Sequence, residues 1–167
     1  CMSTKFAFID RDGTLIHEPT PEETRSGDIP YQIDNLKKLK ILPNVVEGLQ
    51  RLIKKNYKLV MISNQDGVGT NIFPQTSFDE VQNKLIEILK DNGIIFEKIF
   101  ICTHMPDKNC KCRKPKTALL DNLLKEEKIN IEKSLFIGDR DSDKEMAKNI
   151  GIKFIEIKTN GAFKIDI

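Results

Sequence analysis

Two carboxylates, Asp10 and Asp12, stand two residues apart directly after a short apolar run, Lys5–Ile9. In an extended strand such residues project to the same side, so both can act on one substrate. Asp10 suits attack on phosphorus, while Asp12 suits giving a proton to a leaving alcohol and recovering it from water. A Mg²⁺ ion, which prefers oxygen ligands, would keep Asp10 ionised. The alternative is a polar turn after a strand.

Further polar residues follow later apolar runs. Ser63 can donate its hydroxyl to phosphate oxygens, and Lys114 supplies a point cation to phosphate and to Asp10. Asp139 can join Asp10 and Asp12 as a Mg²⁺ ligand, while we expect Asp143 to orient a metal-bound water or Lys114. Taken singly, these residues also fit a turn, a solvated lysine and a helix cap.

Three thiols and one imidazole lie on one short segment: Cys102, His104, Cys110 and Cys112. The set matches a structural Cys₃His zinc site in ligand type and number. With all four positions used, no site for a catalytic water remains, so we expect the ion to fix the segment that leads into Lys114. The alternatives are free thiols beside a surface histidine, or a disulfide.

Short apolar runs alternate with helical patterns, which predicts an α/β fold with a parallel sheet. We expect strands at 5–9, 57–62, 99–102, 135–137 and 154–157. We expect helices from Pro43 to near Asn56, from a capping box of Ser77 and Glu80 to Gly93, at 117–125, and at 143–150 closed by Gly151. The irregular stretches 17–42, 64–76 and 103–116 each follow a strand, where such sheets place ligands.

Charge and length narrow the function classes. The chain has 27 Lys and Arg residues against 25 Asp and Glu, a balance that argues against a nucleic-acid or membrane-surface partner. No apolar run reaches the roughly 20 residues needed to span a bilayer, and no signal peptide is visible, so we expect a cytoplasmic protein. Residues 1–167 are expected to form one domain, with Cys1 interpreted as a cloning remnant before Met2.

The string Asp10-Arg11-Asp12-Gly13-Thr14 resembles the first motif of the haloacid dehalogenase superfamily of phosphatases. Ser63, Lys114, the pair Gly138-Asp139 and then Asp143 follow in that superfamily's order, and the resemblance covers about residues 5–157. It implies a doubly wound, Rossmann-like, mostly parallel sheet with helices on both faces and no large cap domain. It also implies the catalytic set Asp10, Asp12, Ser63 and Lys114, and Mg²⁺ bound by Asp10, Asp12 and Asp139.

The zinc loop resembles that of a branch acting on histidinol phosphate or heptose bisphosphate. The string Asn64-Gln65-Asp66-Gly67-Val68-Gly69-Thr70 and the short span between His104 and Cys110 are similar to the histidinol phosphate enzymes. The expected substrate-binding residues are Arg11, Glu18, Asn64 and Arg113. Glu18 would face the amine and imidazole, unless it is an ordinary surface residue, and His17 is treated as incidental. The different-class alternative is a zinc-stabilised interaction domain without catalysis.

The resemblance also bears on partners. We expect a small phosphate ester as substrate, and neither nucleic acid nor a membrane. Enzymes of this branch often form the N-terminal part of a chain that continues into imidazoleglycerol-phosphate dehydratase. Nothing resembling the dehydratase follows Ile157, so we expect either a separately encoded phosphatase or a fragment. In the second case, the phosphatase would be fused to or partnered with the dehydratase.

Overall fold

The computed structural model describes residues 3–126 and 128–167; the interpretation of Cys1 and Met2 lies outside these ranges. Within them, the strands are Lys5–Ile9 (β1), Tyr57–Asn64 (β2), Phe96–Cys102 (β3), Leu135–Gly138 (β4) and Lys153–Glu156 (β5). The α-helices are Val45–Lys54 (α1), Gln75–Asp91 (α2), Asp121–Glu126 (α3) and Asp141–Ile150 (α4). Short 3₁₀ turns cover Leu36–Lys38, Pro106–Lys108 and Ala118–Leu120.

These strands form one parallel sheet in the order β3-β2-β1-β4-β5. The chain builds outward from β1 to β3, then returns to the other side of β1 to add β4 and β5. This order confirms the predicted doubly wound fold. The reversal between β1 and β4 opens a crevice at the carboxyl ends of the strands, the position where open α/β sheets bind ligands.

The central strand β1 is buried on both faces. Ala7 and Ile9 belong to the apolar core that includes residues of α1 and α2, while Phe6 and Phe8 belong to the core that includes residues of α3 and α4. All four side chains are at most 1% exposed, as the two-residue period of a strand between two helix layers requires. The residue that follows this strand, Asp10, is therefore held on a rigid support.

The segment between β1 and α1 packs onto the same core. Ile33 and Leu42 are buried with the core residues of α1, and the Leu42 main-chain N–H donates to the Leu15 carbonyl at 3.0 Å. Within the described residues, this segment is therefore part of the main domain, which agrees with the prediction of no large cap. No helix in those ranges combines the length and apolar character needed to cross a membrane.

The start of α2 differs from the prediction. The helix begins at Gln75 after Pro74, so the capping box predicted from Ser77 and Glu80 is wrong. The Pro74 carbonyl accepts hydrogen bonds from the main-chain N–H groups of Ser77 and Phe78. This earlier start buries the Phe78 ring in a small apolar cluster.

Other boundaries shift by a few residues. Asn44 has a φ of +67°, outside the helical region, so α1 begins at Val45 and the prediction of Pro43 as its first residue is wrong. Of the remaining elements, β2 extends to Asn64, β3 begins at 96, α4 begins at 141 and β5 lies one residue earlier than expected. Every predicted strand and helix is present, although the helix predicted at 117–125 begins as the 3₁₀ turn Ala118–Leu120 and becomes α-helical only at Asp121.

Gly48 lies on the buried side of α1 against the ring of Phe163. A Cβ at this position would lie 2.5 Å from Phe163 Cδ1. We expect Gly48→Ala to lower the free energy of unfolding by about 1–3 kcal/mol, because overpacking outweighs the gain in helix propensity. Chemical denaturation measures this, with the exposed Glu47→Ala as the control that stays within about 0.5 kcal/mol. An unchanged midpoint for Gly48→Ala would contradict this close packing.

Candidate active site

Four chain segments bring polar side chains to the carboxyl edge of the sheet. Asp10 follows β1, Ser63 lies near the end of β2, Asp139 follows β4, and Lys114 comes from the segment after β3. The Asp10 main-chain N–H donates to the carbonyl of Ile137 at 3.0 Å, which ties the end of β1 to β4. Residues that are far apart in the sequence therefore converge on one site, as predicted.

A buried ion-pair cluster forms the floor of this site. Lys114 Nζ donates to Asp10 Oδ1 at 2.6 Å, to Asp143 Oδ1 at 2.7 Å and to the carbonyl of Ile62 at 3.1 Å. Burial raises the pKa of Asp10 to about 6 despite the opposing charge of Lys114. Burial likewise raises the pKa of Asp143 to about 6. The predicted link between Asp143 and Lys114 is present.

Two hydroxyls position Asp139. Thr14 Oγ1 donates to Asp139 Oδ1 at 3.0 Å, and Thr159 Oγ1 donates to Asp139 Oδ2 at 2.8 Å. Gly13 makes this approach possible, because a Cβ there would lie 2.5 Å from Asp139 Oδ2. The sequence prediction gave no role to Thr14 or Thr159, although Thr14 belongs to the opening motif.

Three carboxylates are placed to share a cation. Asp10, Asp139 and Asp143 each offer an oxygen, and these oxygens lie within 4.8 Å of one another. An all-oxygen donor set of this kind fits Mg²⁺. The Asp12 carboxylate is not in this group; its oxygens accept from Arg11 Nε at 2.6 Å and from Gln65 Nε2 at 2.9 Å. Magnesium binding by Asp12 stays a prediction that its side-chain geometry does not support.

Arg11 requires a correction. Its side chain is 0% exposed, its Nη1 donates to Gln82 Oε1 at 2.9 Å, and its guanidinium lies over the Phe78 ring. It is not among the residues that line the cavity above the site. The prediction that Arg11 binds substrate is therefore wrong. Its side chain instead binds the Asp12 carboxylate from outside the cavity.

The end of β2 supplies three adjacent polar side chains. Ser63 Oγ is buried and accepts from Gln65 Nε2 at 2.8 Å, so Gln65 bridges Ser63 and Asp12. Asn64 bonds the main chain of Lys114 twice, through Lys114 N to Asn64 Oδ1 at 2.9 Å and Asn64 Nδ2 to Lys114 O at 3.3 Å. Asn64 lines the cavity, as predicted, and also positions the lysine. The bridging role of Gln65 was not foreseen.

The remaining predicted substrate-binding residues are engaged in ion pairs. Glu18 lines the cavity, and its Oε2 accepts from Arg140 Nη2 at 2.9 Å. Burial raises the pKa of Glu18, with Arg140 opposing the shift. Arg113 also lines the cavity and pairs with Asp66 through its Nη1. Arg140 was not assigned a role from the sequence, although it follows Asp139 directly.

These residues enclose a cavity of about 520 Å³ that opens to solvent. Its floor carries the charged and hydroxyl groups Asp10, Asp12, Ser63 and Lys114, whereas its outer wall comes from the segments 17–42, 64–76 and 103–116. The volume is in the usual range for small-molecule sites. The arrangement suits a small ligand with an anionic end at the floor.

The predicted zinc ligands come together in one cluster. Cys102 Sγ lies 2.8 Å from Cys112 Sγ, 3.7 Å from Cys110 Sγ and 3.5 Å from His104 Nδ1. Three thiols and one imidazole form a donor set that fits a metal such as zinc. The cluster precedes Arg113 and Lys114 in the chain, so a metal there would fix the segment that supplies the buried lysine.

A comparison with protein families agrees with this geometry. Residues 5–158, nearly the full length of the fold, match the polynucleotide kinase 3 phosphatase family. The chain belongs to this family. The match and the doubly wound fold confirm the resemblance to phosphatases of the haloacid dehalogenase type.

Curated relatives extend the comparison. The chain is 47% identical over 152 residues to a histidine biosynthesis bifunctional protein HisB of Campylobacter jejuni, covering 91% of this chain and 41% of that protein. It is 43% identical over 153 residues to the HisB of Legionella pneumophila strain Lens, covering 92% and 41%. The chain thus spans about two fifths of the length of these relatives.

A solved structure gives the fold comparison. The crystal structure of D,D-heptose 1,7-bisphosphate phosphatase from B. bronchiseptica, complexed with magnesium and phosphate, matches with a TM-score of 0.75 and 22% identity. The match covers 90% of this chain and 79% of that one. At this identity the likeness establishes the shared fold.

Proposed function

We propose that this chain is a histidinol-phosphate phosphatase that uses Asp10 to form an aspartyl-phosphate intermediate. The observation that carries this proposal is the position of Asp10, which is buried, paired with a cation and placed on the floor of a cavity sized for a small molecule. Heptose 1,7-bisphosphate is the second candidate substrate, favoured by the fold neighbour of that name. The relatives named for histidine biosynthesis favour histidinol phosphate.

The reaction consists of two displacements at phosphorus. An Asp10 carboxylate oxygen bonds to phosphorus while the ester oxygen leaves and takes a proton from Asp12. A water molecule then gives its proton to Asp12 and attacks phosphorus, which releases inorganic phosphate and restores Asp10. Gln65 and Arg11 hold Asp12 from two sides, so its position relative to Asp10 is fixed.

Residues at the floor can stabilise the negative charge on the phosphoryl group that is transferred. Lys114 Nζ lies beside Asp10, and the Ser63 hydroxyl lines the same cavity, so both are suited to contact phosphate oxygens. When bound by Asp10, Asp139 and Asp143, Mg²⁺ would supply positive charge that reduces repulsion between the Asp10 carboxylate and phosphate. The fold neighbour's magnesium and phosphate support this choice of ions.

Asp10→Asn tests the nucleophile. We expect turnover of histidinol phosphate to fall more than about 1,000-fold, because the amide cannot form the covalent intermediate. Rapid quenching with substrate labelled at phosphorus should trap acid-stable label on the wild-type protein and none on the variant. Asp79→Asn, on the exposed face of α2, is the matched control with normal turnover. Label on the wild type at a residue other than Asp10 would contradict the assignment.

A substrate comparison tests the proposed specificity. With Mg²⁺ present, we expect kcat/KM for histidinol phosphate to exceed that for heptose 1,7-bisphosphate by at least about 100-fold, because the organic groups of the two esters differ in shape and polarity. Steady-state phosphate release measures both rates. A preference for the heptose would overturn the substrate while leaving the Asp10 chemistry intact, and failure to hydrolyse either ester would favour the non-catalytic interaction domain.

The cysteine and histidine cluster is proposed to hold a structural zinc ion. Because all four donors would bind the ion, it would order the segment between β3 and Lys114 without contacting the substrate. Two main-chain bonds join this segment to the end of β2, from Gln65 N to the Cys102 carbonyl at 2.7 Å and from Gly67 N to the Thr103 carbonyl at 3.0 Å. Loss of order in the loop would therefore disturb the floor of the site.

Cys112→Ser tests the zinc proposal. We expect loss of bound zinc by metal analysis and a Tm lower by about 5–10 °C, equivalent to about 2–4 kcal/mol for a domain of this size. Lys111→Ala, an exposed neighbour, is the control and should keep both values. Chelation of the wild-type protein followed by Mg²⁺ should reproduce the effects of Cys112→Ser. A metal-free protein with an unchanged Tm would contradict the structural role.

A further inference from the structure

Exposed apolar side chains are concentrated at the mouth of the cavity. Of the eight large hydrophobic residues exposed in the described ranges, four line this cavity: Ile29, Tyr31, Ile72 and Met105, at 37%, 55%, 49% and 37% exposure. They come from the three irregular segments and not from one surface element. Apolar exposure gathered at an opening is typical of a binding surface.

Tyr31 is held in a backbone conformation that bulky residues rarely adopt. Its φ is +67°, in the left-handed region, and its main-chain N–H donates to the carbonyl of Pro19 at 2.9 Å. The neighbouring Gln32 side chain is buried and donates to the Ile72 carbonyl at 2.7 Å and to Asp34 Oδ2 at 3.0 Å. The fold therefore maintains an unfavourable backbone conformation at Tyr31 while its ring stays exposed. This combination points to a role of the ring in binding a ligand and not in the packing of the protein.

Several polar groups of the outer cavity already have partners within the protein. Arg113 pairs with Asp66, Arg140 with Glu18, and the Gln32 amide with Ile72 and Asp34. A polyol placed here would have to compete with these pairs for hydrogen bonds and would lose contacts with water. A flat ring, in contrast, would bury apolar surface against the exposed side chains at the mouth.

We propose that Ile29, Tyr31, Ile72 and Met105 form an apolar subsite that binds the ring of the substrate's organic part, with Tyr31 as its main contact. This inference rests on the proposed function and names the residues that select the imidazole. The subsite is separate from the floor, where Asp10 and Lys114 meet the phosphate. Tyr31 thus contributes to binding in the ground state and the transition state alike, and its loss raises KM without changing kcat.

Two esters that differ only in the ring provide the test. Histidinol phosphate and alaninol phosphate share the phosphate, the ester oxygen and the amine, but alaninol has a methyl group in place of the imidazolylmethyl group. Tyr31→Asn removes the ring and tolerates the left-handed backbone. We expect it to raise KM for histidinol phosphate about tenfold at constant kcat, and to leave alaninol phosphate hydrolysis unchanged. Tyr31→Phe keeps the ring and should therefore keep the lower KM for histidinol phosphate that Tyr31→Asn loses. The distant, exposed Ile95→Ala is the control that should match the wild type.

An equal loss for both esters, or no loss for either, would overturn the subsite. A calorimetric measurement in the Asp10→Asn background separates this outcome from failure of the proposed function. There we expect histidinol phosphate to bind about tenfold more tightly than alaninol phosphate, and Tyr31→Asn to abolish the difference. If the wild type fails to hydrolyse histidinol phosphate, the proposed function falls while the binding difference still supports the subsite; equal affinities would refute the subsite whatever the activity.

Discussion

The pairing of one buried lysine with two buried carboxylates constrains the rest of this structure. Lys114 is 3% exposed, and an ammonium at such depth would cost several kcal/mol without partners. Burial acts to lower the pKa of Lys114, but Asp10 and Asp143 together raise it. The carboxylates need the lysine equally, because burial raises the pKa of each. Their approach fixes the end of β1, the first turn of α4 and the segment after β3 relative to one another.

The segment that carries Lys114 has little regular structure of its own, so other contacts must determine its path. The oxygen and the nitrogen of the Asn64 side-chain amide both form hydrogen bonds with the main chain of Lys114. The Cys102 carbonyl accepts from the Gln65 main chain at the end of β2. A metal bound to the cysteine and histidine cluster would add a third restraint just before the lysine. The positions of cation and nucleophile therefore depend on the order of this loop.

The sequence predicted the residues whose chemistry is local, and missed those whose role depends on tertiary contacts. Asp10, Lys114 and the thiols of the zinc loop could be identified because their types and order are informative before folding. The burial of Arg11 could not be predicted, because its side chain contacts Gln82 and Phe78, which are far from it in the sequence. The helix that follows Pro74 starts earlier than its Ser77 signal because tertiary burial of Phe78 outweighs a local cap.

The floor and the outer wall of the cavity are supported by different parts of the fold. Apart from Lys114, the floor residues follow β1 or lie near the end of β2, and both strands are paired on two sides in the sheet, so changes there would disturb the core. The wall depends on the segments 17–42, 64–76 and 103–116, where the side chains of Ile29, Ile72 and Met105 are exposed and do not pack in the core. A shared fold can therefore keep one phosphate chemistry while its wall is altered for sugars or for rings. The second and third segments are limited in this respect, because Asn64 and Gln65 position residues of the floor and the third segment must deliver Lys114 to it.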